Sequence, residues 1–330
     1  ISADETSSTF DLKCQREFEK VFGPINYSWN RGDVHIVCMR NVIYDIATDA
    51  SKYHGGFTDA QYKWLQQDLA LVPKSKMVIL CVHIPMLSSS TNKQNVLTLL
   101  KQFKTGHIMS GHTHYMRNEP TRSGIYEHIH AAVCGNWWWS KVNGDGCPNG
   151  YAVYKIDGTE MTDWYYKGFN EGMNSRDYQI RLYRGNIKTG GSKEYFQYQH
   201  GSNVLLANVF NADSSWTVKV YENDTYTGDM TLIKNKKYDA DALPKSSTSP
   251  TLVPNDSSQD FWAIGLHIGY VGRGQGTSRN SYLTNGFHLY KYTLKNPSAS
   301  VKVVAIDRFG NEYSQSTITG DCDYTGVKKP

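Results

Sequence analysis

The alternation of apolar and polar positions changes character once along the chain. Over the first half, apolar residues recur at three- and four-residue steps, interrupted by short unbroken apolar runs. Phe10, Cys14, Phe18, Val21 and Phe22 predict a helix over 10–22, stopped by Gly23-Pro24. Tyr27 to Trp29 and Val34 to Met39 predict a hairpin around Arg31-Gly32. Residues 41–57 read as a loop ending in His54-Gly55-Gly56. Thr58-Asp59-Ala60-Gln61 has the form of a capping box, ahead of Tyr62, Leu65 and Leu69 at helical spacing, and Val72-Pro73 closes that helix. A strand over 76–82, a helix over 93–104 and a strand over 108–110 follow, then an apolar run from Tyr126 to Cys134. A hairpin around Asp157-Gly158 closes this half. Helix and strand in alternation predict a layered α/β domain with parallel neighbouring strands.

From about residue 173 the steps shorten to two. Tyr178 to Tyr183, Val204 to Val209, Trp216 to Tyr221, Trp262 to Ile268, Phe287 to Tyr292 and Val301 to Asp307 each read as a short strand. Strands of this spacing predict an antiparallel β-sandwich of the immunoglobulin-like kind. Residues 241–260, rich in Ser, Pro and Asp, read as a long loop. The fold class expected is therefore α/β followed by all-β, with domains over 1–172 and 173–330.

Composition adds limits. The 330 residues are 39% hydrophobic and 13% aromatic, as a folded protein requires. A net charge of +4 with scattered basic residues leaves no nucleic-acid footprint. No apolar run approaches a membrane span. Among six cysteines, Cys38, Cys81 and Cys134 lie in apolar runs and read as buried thiols. Cys147 and Cys322 lie in turn-like text and are candidates for a disulfide.

Candidate chemistry gathers at strand ends. His83 follows the run Met77 to Val82, and Gly111-His112-Thr113-His114 follows Ile108 to Ser110. Imidazole is the commonest metal ligand at neutral pH, and α/β folds place ligands beyond the carboxyl ends of strands. Gly111 is expected to let the backbone bend around an ion. His128 and His130 repeat the two-residue spacing and either face substrate as a pair or pack within the strand. Trp137, Trp138 and Trp139 are adjacent, so they cannot all be buried on one face, and one is expected to wall an opening. Asn143-Gly144-Asp145-Gly146 is turn text that falls short of a calcium loop. His200, His267 and His288 fit no pattern and read as structural.

Gly111-His112-Thr113-His114 and Val82-His83-Ile84-Pro85 resemble the last two metal motifs of the calcineurin-like metallophosphoesterases. Phe22-Gly23-Pro24, Tyr27 to Asn30, Arg31 to His35, Tyr126-Glu127-His128 and Gly135-Asn136-Trp137-Trp138-Trp139 extend the resemblance to a secreted bacterial subgroup with a C-terminal β-domain. It implies hydrolysis of a phosphomonoester or phosphodiester at two ions (Mn, Fe or Zn) bridged by a carboxylate and a hydroxide. By motif match, His83 and His112 would ligate one ion and His114 the other. His54 would lie near the site mouth, with His130, Trp137 and Trp138 near substrate.

The family's Asp-x-His, Gly-Asp-x-x-Asp and Gly-Asn-His motifs do not occur here, since Ile36 follows Gly32-Asp33 where a second aspartate is required. Arg40 stands where relatives often carry an acid. The resemblance thus implies a phosphoesterase domain truncated at its N-terminus. Such a chain would hold at most one weakly bound ion and have little or no activity alone, and exposed sheet edges would be covered by a homo-oligomer. A periplasmic, cell-surface or secreted location follows from the same likeness. The alternative is a degenerate scaffold that binds a glycan or another polymer through the aromatic-rich C-terminal domain.

Overall fold

The computed structural model describes residues 7–44, 53–88, 90–135, 140–191, 194–234, 251–253, 256–271, 286–320 and 322–323. The chain divides into two compact units. The first takes residues 1–113, 119–129 and 155–162, and the second takes 114–118, 130–154 and 163–330.

In the first unit, helix α1 (Ser7–Phe22) leads into β1 (Asn26–Arg31) and β2 (Val34–Met39). Then come β3 (Val42–Tyr44), β4 (Tyr53–Gly56), α2 (Asp59–Ala70), β5 (Met77–Cys81), β6 (Ser90–Thr91), α3 (Lys93–Leu100), β7 (Thr105–Ser110), β8 (Arg117–Pro120) and β9 (Tyr126–Ile129). The main sheet runs β1-β2-β5-β7-β9-β8. β1 and β2 form the expected antiparallel hairpin, and β2, β5, β7 and β9 are mutually parallel.

Parallel central strands are covered on both faces, which explains why Met77 to Cys81 is apolar without alternation. One face packs Val37, Val78, Leu80 and Ile108 with Leu65 and Leu69 of α2 and Val96, Leu97 and Leu100 of α3. The other gathers Val34, Met77 and Ile79 with Ile36, Met109 and Met161. The capping box forms as read: Thr58 Oγ1 accepts from the Gln61 N–H, and Gln61 Oε1 accepts from the Thr58 N–H.

The stretch expected to be a loop over 41–57 carries two strands. β3 pairs antiparallel with β4, and β4 pairs parallel with β6, in a separate three-stranded sheet. Its partners lie more than thirty residues downstream, so no local pattern announces it. A Cβ on Gly55 or Gly56 would stand 2.8 Å from side-chain atoms of Ile84 or Thr91, so these glycines permit close strand approach and are not turn residues. The helix expected over 93–104 stops at Leu100, because the Gln102 and Phe103 N–H groups donate to carbonyls three residues back and not four.

The second unit is rich in sheet. β10 (Gly150–Asp157) and β11 (Glu160–Gly168) form a two-stranded sheet. There follow β12 (Ile180–Arg184), β13 (Lys188–Gly191), β14 (Glu194–Tyr198), β15 (Val204–Val209), β16 (Thr217–Glu222), β17 (Thr225–Asp229), β18 (Thr231–Leu232) and β19 (Thr251–Val253). After α4 (Phe261–Val271) come β20 (Leu289–Thr293), β21 (Val301–Ile306), β22 (Glu312–Gln315), β23 (Ile318–Thr319) and β24 (Cys322–Asp323). Three sheets result, ordered β18-β20-β15-β12-β23, β17-β16-β21-β22 and β19-β14-β13-β24. Leu182, Leu205 and Ala207 of the first share a core with Val218, Val220 and Val303 of the second.

α4 replaces the strand expected over 262–268. An apolar run of that length fits either element by pattern, and Asp260 decides it. Its Oδ1 accepts from the Ala263 N–H at 3.0 Å and its backbone carbonyl accepts from the Ile264 N–H at 3.1 Å, starting a helical turn.

Candidate functional site

β5 and β7 are neighbours in register, with Cys81 opposite Met109, so the segments leaving their carboxyl ends emerge side by side. His83 and His112 lie on those segments, and the Gly111 N–H donates to the His83 carbonyl at 3.0 Å. His83 Nε2 stands 3.1 Å from His112 Nδ1, with the rings at 69°. Two nitrogens bound at tetrahedral angles to one zinc ion are separated by roughly 3.3 Å. The pair is thus at hydrogen-bond distance, as His107 and His128 are, and also at the donor spacing of a single ion.

The bend expected at Gly111 falls elsewhere. Gly111 has no left-handed φ and a Cβ there would meet open space, whereas His112 and His114 take φ of 68° and 55°. Left-handed backbone is uncommon in residues other than glycine, although histidine, like asparagine and aspartate, enters it more readily than most, and strained backbone gathers at functional sites. His114 belongs to the second unit, where its Nδ1 lies 3.0 Å from the Gly135 carbonyl.

Three residues position the pair, and of these the sequence had pointed only to Glu127, within Tyr126-Glu127-His128 and without a role. Asn41 is buried; its Oδ1 accepts from the His83 and Ile84 N–H groups, each at 2.9 Å, and its Nδ2 donates to the Ile84 carbonyl at 2.7 Å. Glu127 is fully buried on β9 and accepts from the Met86 and Leu87 N–H groups and from the Ser110 hydroxyl. Burial raises its pKa above the ordinary carboxylate value against the pull of those three hydrogen bonds. Tyr53 sets its ring edge-on to His112 at 5.6 Å. Asparagine in a loop and glutamate in a strand announce no role, so only the register of the sheet reveals it.

A cavity of about 580 Å³ reaches His83 and is lined by Tyr27, Cys38, Arg40, Tyr44 and Cys81 among others. Arg40 holds Asp11 of α1 with both carboxylate oxygens at 2.5 and 2.6 Å. The basic residue at this strand end therefore binds the chain's own helix. Cys38 and Cys81 are directly opposite each other on β2 and β5 and are half-buried, where full burial was expected. Hydrogen bonding from Cys81 pushes the Cys38 thiol down to about 6, against the effect of burial and with help from Tyr27. Cys134, also half-buried, lies in a turn after β9 has ended.

The other candidates separate. His54 Nε2 lies 3.4 Å from Thr91 Oγ1. His128 is fully buried, with Nε2 3.1 Å from His107 Nδ1, which makes it a packed strand histidine. His130 bonds the Tyr154 hydroxyl at 2.7 Å. Trp137, Trp138 and Trp139 lie outside the described residues, as does the His267 side chain. Cys147, a candidate for pairing with Cys322, is a free and buried thiol.

That cysteine belongs to a donor group the sequence reading missed. Among the described residues, Asp145, Cys147 and His288 are the one set of three His, Cys, Asp or Glu side chains with ligand atoms within 4.8 Å of one another. Asp145 and Cys147 stood in text read as a plain turn, and His288 is 141 residues beyond Cys147. No spacing rule connects them. Among the described residues no carboxylate joins His83 and His112 in such a set, so that pair does not fit a carboxylate-bridged pair of ions.

Two family models match. Residues 8–116 match calcineurin-like phosphoesterase, and residues 127–313, more than half of the chain, match the C terminal of calcineurin-like phosphoesterase. No curated protein matches the chain. With histidines leaving adjacent parallel strands at ligand spacing and the two models covering both units, the chain belongs to the calcineurin-like phosphoesterase family.

Proposed function

We propose that this chain acts in metal-dependent hydrolysis of phosphoric esters, with His83 and His112 holding one divalent ion. Family membership supports a metal-dependent phosphoesterase in general. The observation that carries the residue assignment is the 3.1 Å approach of His83 Nε2 to His112 Nδ1. A bound ion would supply Lewis acidity toward a phosphoryl oxygen.

The protein's own part is orientation. Asn41 fixes the backbone that carries His83, and Glu127 ties the 86–87 turn to Ser110, two residues before His112. Tyr53 limits rotation of the His112 ring. The cavity beside His83 offers room for the ester's organic group. Because no carboxylate joins the imidazole pair among the described residues, the donor set suits one ion, and we propose that turnover by this chain is slow.

The test is hydrolysis of an aryl phosphomonoester and an aryl phosphodiester with added Mn²⁺ or Zn²⁺. Turnover should require the metal and fall to the metal-free level in His112→Ala. Turnover indifferent to chelation, or unchanged by that substitution, contradicts the reading.

A further inference from the structure

The second unit contains a buried set of donors that the proposed hydrolytic role does not use. Asp145 and Cys147 flank Gly146 in a turn closed by the Asn143 N–H to the Cys147 carbonyl at 2.7 Å and the Gly146 N–H to the Asn143 carbonyl at 2.9 Å. Gly146 takes φ of 86°, and a Cβ there would stand 2.2 Å from Asp260 Oδ2 and 2.4 Å from Asn208 Nδ2. Only glycine allows this turn to close against the residues behind it. His288 precedes β20 and reaches the turn from the other side of the sequence, with its carbonyl accepting from the Val209 N–H. All three donors are 2% exposed or less.

Asn208 fixes which nitrogen of His288 faces the set. Its amide nitrogen donates to the Asp145 carbonyl at 2.7 Å and to Asp260 Oδ2 at 2.6 Å. Its amide oxygen must therefore accept, and it lies 2.7 Å from His288 Nδ1. The Nδ1 of His288 carries the proton, and Nε2 points at Asp145 Oδ2, 3.1 Å away, and at Cys147 Sγ, 3.7 Å away. A neutral imidazole in this tautomer would aim a lone pair at a carboxylate. A proton, on the ring or on the carboxyl, or a cation must lie between them.

The separations suit a cation as well as a proton. Tetrahedral zinc, with bonds of about 2.0 Å to nitrogen and oxygen and about 2.3 Å to sulfur, sets ligand edges of roughly 3.3 Å for N···O and roughly 3.5 Å for N···S. The observed 3.1 and 3.7 Å bracket those edges. An acceptor behind the other ring nitrogen, the place Asn208 Oδ1 takes here, fixes the orientation of a ligating histidine. The Phe210 carbonyl, 3.4 Å from Cys147 Sγ, is available for the fourth position.

We propose that Asp145, Cys147 and His288 form a closed structural site for a thiophilic divalent cation, Zn²⁺ by preference, which clips the 145–147 turn to the start of β20. Entry of the ion displaces the Cys147 proton to solvent and leaves a thiolate–metal bond. The cysteine, fully buried, is otherwise a neutral thiol donating to Phe210. This site is independent of the hydrolase reading, since it uses none of His83, His112 or His114.

The test uses the full chain, stripped with chelator and reloaded with Co²⁺. A thiolate-to-cobalt charge-transfer band with tetrahedral visible absorption is expected. It should persist in His112→Ala and in Cys38→Ser/Cys81→Ser, and disappear in Cys147→Ser and in His288→Gln. Absence of the band in folded wild-type protein, or its survival in Cys147→Ser, overturns the proposal. Should the Cys147 and His288 variants fail to fold, X-ray absorption at the zinc edge of zinc-loaded His112→Ala protein, which lacks the other proposed zinc site, decides. One sulfur scatterer at about 2.3 Å is expected, and a shell of nitrogen and oxygen alone overturns it in favour of a buried His–Asp ion pair.

Discussion

Asn41 does more for the histidine pair than its position in the sequence suggests. One buried amide satisfies three backbone groups of the segment that carries His83. Removing it leaves the Ile84 N–H and carbonyl without those partners in a buried setting, at a cost of about 1–3 kcal/mol for each buried group so exposed. Asn41→Ala should lower the midpoint of urea unfolding by the equivalent of roughly 2–4 kcal/mol. It should also weaken metal binding at His83, because the ring loses its fixed backbone. An unchanged midpoint, measured by far-ultraviolet circular dichroism, would show that the segment is held by other contacts. The roles of Asn41 and Glu127 could not be read from the sequence, because they come from the strands that bring residues some forty positions apart into contact.

At the scale of elements, the sequence was informative wherever a local rule settles the outcome. Thr58 and Gln61 announced the start of α2, and the unbroken run Met77 to Cys81 announced a strand covered on both faces. It misled where a distant partner decides. Tyr53–Gly56 is strand because Ser90 and Thr91 pair with Gly55 and Gly56 and Val42–Tyr44 pairs along its other edge. Phe261–Val271 is helix because Asp260 satisfies its first N–H groups. At the His-x-His pair the left-handed backbone was not legible, because the glycine beside it drew the expected bend.

Glu222, at the end of β16, gives a pH test on this scale. Burial alone would raise its carboxyl, but the Lys295 and Asn296 N–H groups at 2.9 and 2.6 Å outweigh burial and hold it below the usual value. A carboxyl held low in the folded state contributes stability above its unfolded pKa, and that contribution is lost as pH falls through the folded value. Hydrogen exchange at the Lys295 and Asn296 amides should therefore accelerate below about pH 4, from the ordinary glutamate value. Glu222→Gln should remove that acceleration. Exchange that is flat with pH after correction for intrinsic rates would contradict the assignment.

The whole molecule joins a phosphoesterase-type α/β unit to a sheet-rich unit, and each carries its own group of metal-competent side chains. Among the described residues no helix is long and apolar enough to cross a membrane. The central claim is that His83 and His112 are ligands of one ion. Anomalous diffraction from crystals soaked in zinc tests it most directly. The account predicts a peak within about 2.0–2.1 Å of both His83 Nε2 and His112 Nδ1, lost in crystals of His112→Ala. Soaked crystals in which both rings are ordered and no anomalous peak lies between them would contradict it.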